Sequence, residues 1–150
     1  FRNKNLGLAQ NVINGVNKVF SLGFEAVIVL EDDCVIKKQF FNFMLSALDF
    51  YNNNSKIMHV SGFGIPLKNK PDEDYYITPY PCSWGWGTWK KHWDKCDFDD
   101  NIFYITDWDF NLRALYKNPN LVFLNKSLVI YRIHDSSISD KIGSTIFPCS

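Results

Sequence analysis

Three adjacent acids, Glu31-Asp32-Asp33, directly follow an unbroken apolar run, Ala26-Val27-Ile28-Val29-Leu30. Hard divalent cations prefer carboxylate oxygens and keep waters or substrate phosphates as their remaining ligands. Like charges crowded at the end of a buried strand repel one another unless a cation offsets them. The same cluster also reads as a turn or cap. A second segment, Pro81-Cys82-Ser83-Trp84-Gly85-Trp86-Gly87-Thr88-Trp89, alternates tryptophan with glycine. Glycine weakens any helix or strand it interrupts. The alternation therefore suits either a Trp-rich core or a backbone that approaches a ligand closely, with Trp faces turned to the apolar faces of a sugar. In Asp107-Trp108-Asp109-Phe110-Asn111-Leu112-Arg113, one acid can cap a helix. Asp109 and Arg113, four residues apart on one helical face, can hold a carboxylate ionised and aimed, as a general base requires. The stretch His134-Asp135-Ser136-Ser137-Ile138-Ser139-Asp140 adds a lone histidine, a residue type more often found on a surface or in a hydrogen bond than on a ligand.

These residues need elements to position them. Leu8, Val12, Val16, Val19 and Phe20 recur at helical spacing, so a helix is expected from about Leu8 to Phe20, stopped at Ser21-Leu22-Gly23. The run 26–30 predicts a strand buried on both faces, as in a mostly parallel sheet under helices. In open α/β sheets ligands bind beyond the carboxyl ends of the strands, where the three acids emerge. Phe40, Phe43, Met44, Ala47, Leu48 and Tyr51 predict a second amphipathic helix, and Ile57 to Val60 a second strand. A short strand is expected around Tyr75-Tyr76-Ile77, and a helix whose face carries Trp86, Trp89 and Trp93. A further helix is expected over Trp108 to Lys117, then strands at Leu121–Leu124 and Leu128–Tyr131. The alternation of helix and strand predicts an α/β fold, with a sheet layered between helices.

Composition narrows the function further. The chain has 150 residues, 46% hydrophobic and 21% charged, which suits one packed domain and excludes intrinsic disorder. Sixteen basic residues against sixteen acidic ones leave a net charge of zero, which argues against a nucleic-acid platform or an anionic-membrane binder. No apolar run approaches the ~20 residues of a membrane span. With no signal peptide at Phe1, a cytoplasmic location is expected. Cys34, Cys82, Cys96 and Cys149 form no CxxC pair, so zinc ribbons and thioredoxin-type sites are excluded and reduced, packed cysteines are expected.

In their order along the chain, Val27-Ile28-Val29-Leu30-Glu31-Asp32-Asp33, Ser83-Trp84-Gly85-Trp86-Gly87-Thr88-Trp89, Trp108-Asp109-Phe110-Asn111 and Ile133-His134-Asp135 resemble bacterial GT-A glycosyltransferases of the family 2 type. They are more remotely similar to N-acetylglucosaminyltransferase I, and Asn3-Lys4-Asn5-Leu6-Gly7-Leu8 resembles the family's KNLGL segment. The resemblance implies a GT-A-like, Rossmann-like α/β fold with a mostly parallel sheet between helices. It also implies that residues 1–150 form a partial domain lacking the first nucleotide-binding strands, expected upstream of Asn3.

By the same resemblance, Asp33 binds Mn²⁺ or Mg²⁺, and the cation grips the diphosphate of a nucleotide-sugar, a UDP-sugar. Glu31 and Asp32 belong to the donor site, Asp32 facing the ribose or sugar, and Asn3, Lys4 and Asn5 lie near the nucleotide. Trp84, Gly85 and Trp86 line the donor-sugar and acceptor pocket. Asp109 is the base that deprotonates the acceptor hydroxyl of a saccharide or glycan, so the anomeric configuration inverts. Asp140 stands where the family's closing His-Asp-Gly-x-Gly-Thr-His segment ends in histidine, and takes that residue's place as a metal ligand. Two rival readings remain: a non-catalytic remnant that binds a saccharide or partner through its Trp-rich surface, and a metal-dependent phosphohydrolase built on Glu31-Asp32-Asp33.

Overall fold

A computed structural model of the chain describes residues 6–64, 72–78, 82–96, 120–124 and 127–132. Helix α1 (Leu8–Ser21) follows Gly7, whose φ of 79° is open to glycine at little steric cost. Its apolar stripe buries Val16 and Phe20. The helix closes with Leu22 and Gly23 donating backbone hydrogen bonds to Val19 and Phe20. Strand β1 (Ala26–Val29) leads through the acidic turn into β2 (Cys34–Ile36), and helix α2 (Phe40–Phe50) follows. Next come β3 (Ile57–Ser61), β4 (Tyr75–Thr78), β5 (Trp86–Trp89), the short helix α3 (Lys90–Trp93), β6 (Asn120–Leu124) and β7 (Val129–Tyr131).

The architecture is mixed α/β. Strands β1, β5, β3, β6 and β4, in that order, form a five-stranded sheet, and β2 pairs with β7 in a separate antiparallel ribbon. A mostly parallel sheet is not what the described residues form: β3 and β6 run parallel, while β1–β5, β5–β3 and β6–β4 are antiparallel. An unbroken apolar run reports that both faces of a strand are covered, which fixes no direction for its neighbours. The sheet is covered on both faces. Phe40, Met44, Ala47 and Leu48 of α2 pack with Ile57, Val60, Trp89 and Val122. On the opposite face Val16 and Phe20 of α1 pack with Val27, Trp86 and Trp93.

The Trp-rich segment also differs from expectation. Residues three apart share a face of a helix, but on a strand they lie on opposite faces. Because residues 86–89 form β5, Trp89 faces α2 and donates its indole N–H to Leu48 O at 3.0 Å. Trp86 faces the other way, against His59 at 5.3 Å and Trp93 at 6.3 Å between ring centroids. Stacking continues from His59 to Phe123 and on to Tyr76, so an aromatic row crosses α3, β5, β3, β6 and β4. The expected helix over Trp108–Lys117 lies outside the described residues.

The glycines of this region admit helix α2. Phe40 is fully buried, and a Cβ placed at Gly62 would stand 2.5 Å from its ring. A Cβ at Gly85 would stand 2.6 Å from Val129 Cγ2 and 3.0 Å from the Phe40 ring, and Gly85 has φ +65°. Gly85→Ala therefore combines overpacking, about 1–3 kcal/mol, with a left-handed backbone that costs another ~1–2 kcal/mol. Chemical denaturation of this variant should show a loss of at least about 2 kcal/mol; a loss within about 0.5 kcal/mol, ordinary for a surface change, would contradict the packing described.

Candidate functional site

The acidic turn sits where the chain leaves the main sheet for the ribbon. Leu30 ends the apolar run, and Cys34 N–H closes the turn by donating to Glu31 O at 3.1 Å. Asp32 is exposed, whereas Glu31 and Asp33 are half-buried. The Asp33 carbonyl accepts the backbone N–H of Arg132 at 2.9 Å, tying the turn to the residue that follows β7. Cys34 Sγ lies 3.8 Å from Asp33 Oδ1 as a weak donor. Burial, followed by the charges of Asp33 and Glu31, pushes this thiol up to about 11, against the opposing hydrogen bond to the Glu31 backbone. Burial likewise raises Cys82 to about 11, with smaller upward contributions from Cys34 and Glu31. Cys34, Cys82 and Cys96 are in no disulfide, and the two with raised values stay protonated at neutral pH.

The carboxyl end of β3 and the start of β5 meet beside this turn. Val29 pairs with Trp86 in the sheet register, which sets Trp84 and Gly85 alongside the chain as it leaves β1. Gly62 N–H donates to Gly85 O at 2.9 Å, Leu128 N–H to Gly62 O at 2.8 Å, and Lys37 N–H to Leu128 O at 2.8 Å. This relay joins the main sheet, the ribbon and the approach to α2. Trp84 is half-buried and meets Phe63 edge to face at 4.8 Å. Ser61, fully buried, fixes the backbone of Phe63 by accepting its N–H at 3.2 Å.

The residues singled out in the sequence divide accordingly. Glu31, Asp32, Asp33, Trp84 and Gly85 come together at this end of the sheet. Trp86 is 5% exposed and belongs to the core stack, so the aromatic surface at the site is that of Trp84 and Phe63. Gly85 and Gly87 face Phe40, Val129, Met44 and Leu48, so their missing side chains make room for protein packing. Asn3, Lys4, Asn5, Asp107, Asp109, Arg113, His134 and Asp140 lie outside the described residues. Phe63 and Arg132 enter the site without having been singled out. Both are isolated in the sequence, and only the register of β3 with β5 and of β2 with β7 brings them here.

Among the described residues no group of three His, Cys, Asp or Glu side chains converges to hold a metal ion. The turn's chemistry nonetheless suits Mg²⁺ or Mn²⁺ in one respect: such ions are commonly held by one or two carboxylates, with waters and substrate phosphates completing the shell. Asp33 with one neighbouring acid would supply that share of ligands. No protein-family model matches the chain, and no curated protein matches it.

Beneath the site, His59 is 1% exposed between Trp86 and Phe123, and its ring nitrogens have no hydrogen-bond partner among the described residues. Burial pushes it down to about 3, slightly opposed by the Cys82 backbone. His92, buried beside the charges of Lys91 and Lys95, is lowered to about 4. Below the ordinary histidine value of 6.5 the unfolded chain takes up protons that the native chain refuses. Stability is therefore full above that value and falls as pH drops toward the native one. Between pH 7 and 4.5, His59 alone should remove on the order of 2 kcal/mol. Denaturation midpoints measured across this range should fall, and less steeply in His59→Phe, which keeps the stacked ring; equal slopes in the two proteins would contradict the assignment.

Proposed function

We propose that this chain is a metal-dependent, inverting glycosyltransferase domain of the GT-A type, moving a sugar from a nucleotide-diphosphate donor, a UDP-sugar, to an acceptor hydroxyl on a saccharide. The observation that carries the reading is the juxtaposition of the Glu31-Asp32-Asp33 turn, at the carboxyl end of β1, with the half-buried Phe63–Trp84 pair. Carboxylates able to hold a cation for the diphosphate, beside an aromatic ring for the sugar's C–H face, are what a nucleotide-sugar donor needs. The order of sequence motifs around these residues supports the same reading.

In this proposal Asp33 holds Mn²⁺ or Mg²⁺, with Asp140 as a further ligand. Bound there, the cation supplies neutralisation of the departing diphosphate. Glu31 and Asp32 orient the ribose and sugar through hydrogen bonds to hydroxyls, and Asn3, Lys4 and Asn5 flank the nucleotide. Trp84 presents a ring face to the sugar's C–H groups, and Phe63 keeps that ring in place. Asp109 takes the proton from the incoming hydroxyl on the side opposite the leaving group, which inverts the anomeric centre.

A ligand that binds only the native state raises the melting temperature. Mn²⁺ with UDP should raise it in the wild type and fail to do so in Asp33→Ala; an undiminished shift in the variant would remove Asp33 from the site. Asp109→Asn should keep the shift and lower transfer by at least about 10²-fold, the usual size of a general-base contribution. Near-wild-type transfer by this variant would dismiss Asp109 as the base. Saccharide binding that needs neither metal nor nucleotide would instead favour a non-catalytic binding module.

A further inference from the structure

Strand β3 ends on a polar residue in a sealed place. All five of its residues are buried, and Ser61, the last of them, is 0% exposed. A hydroxyl taken out of water costs stability unless hydrogen bonds satisfy it. The partners of this hydroxyl lie at the mouth of the site. Its Oγ accepts Phe63 N–H at 3.2 Å, and its own proton has two acceptors in reach, Phe63 O at 3.4 Å and the Cys82 sulfur.

Cys82 carries the connection across to the second ring. Burial raises its thiol, and hydrogen bonds from the Trp84 backbone and the Ser61 hydroxyl oppose that rise. The path therefore runs from Phe63 N–H to Ser61 Oγ, on to Cys82 Sγ, and from there to Trp84 N–H. Two side chains thus tie together the backbones that bear both rings of the site. Sheet register ends at Ser61 and Trp86, and one further backbone bond joins Gly62 to Gly85. Past that point the Ser61–Cys82 relay takes over. The rings meet at 4.8 Å and 75°, an edge-to-face contact that depends on where both backbones stand.

We propose that Ser61 is a positioning residue which, through Cys82, holds the Phe63–Trp84 pair at the angle that accepts the donor's sugar. The inference rests on the transferase reading and deepens it. The relay acts on the sugar end of the donor and leaves the nucleotide end alone.

Calorimetric titration of the whole chain with UDP, UDP-glucose, UDP-galactose and UDP-N-acetylglucosamine, each with Mn²⁺ present, tests it. The quantity read is the affinity for the sugar nucleotide the wild type binds best, divided by its affinity for UDP. Ser61→Ala and Cys82→Ala should each lower this ratio about threefold to tenfold while UDP affinity itself holds. Cys82→Ser keeps a hydrogen-bonding atom at the second step of the relay and should restore the ratio. Where the fully buried Ser61→Ala fails to fold, Cys82→Ala decides alone. A wild-type ratio in Cys82→Ala would overturn the positioning role and leave the transferase reading intact. Equal losses for UDP and the sugar nucleotide, or no recovery in Cys82→Ser, would also overturn it, as a general disturbance of the site. Failure of the wild type to bind any of the three sugar nucleotides would overturn both the relay's role and the transferase reading.

Discussion

Phe40 seated on glycine is the contact from which the site takes its shape. Its ring occupies the space where side chains at positions 62 and 85 would otherwise stand, and it is fully sealed from solvent. Val129 presses on Gly85 from the ribbon, so one small volume holds the first turn of α2, the end of β3, the entry to β5 and β7 together. The backbone relay from Lys37 through Leu128 and Gly62 to Gly85 threads the same elements. Interiors packed to crystal-like density transmit displacement instead of absorbing it, so the acidic turn, tied to this knot through β2, inherits its position from it.

The tryptophan–glycine segment serves the fold with most of its residues and leaves few for the surface. Trp89 closes over α2, Trp86 joins the aromatic row on the opposite face, and Gly85 and Gly87 let the helix approach. Trp84, just before the strand begins, keeps part of its ring in solvent. A strand that alternates large rings with glycine puts bulk on one face and a groove on the other. That is why a helix as aromatic as α2, with Phe40, Phe41 and Phe43, can lie close against it.

Much of the first half was legible from the sequence. The helices α1 and α2 and strands β1 and β3 fall within a residue or two of their expected limits, because the helices repeat their period and the strands are compact apolar runs between polar or turn residues. Strand β2 was not legible: Cys34-Val35-Ile36 is too short for a period and stands next to three acids. The spacings of three and four among Trp86, Trp89 and Trp93 suit a helical face as well as a strand flowing into a short helix, so periodicity does not separate the two. Of the candidate site, the acids and Trp84 were visible as local composition. Phe63 and Arg132 were not, because their place depends on strand pairings between residues far apart in the chain. The close approach around Phe40 was likewise invisible, since glycine's small size carries no hint of which neighbour fills the space.

The proposed function brings a cation and a phosphorylated ligand together at the turn at the carboxyl end of β1. Backbone NMR during titration with paramagnetic Mn²⁺ and UDP tests it most directly, because line broadening marks the residues nearest the ion. Broadening should appear first at the amides of residues 31–34 and at Arg132, reach the Trp84 indole, and spare Lys18 and Asn54. Broadening centred instead on the exposed acids Asp72, Glu73 and Asp74, with the amides of residues 31–34 left sharp, would contradict the account.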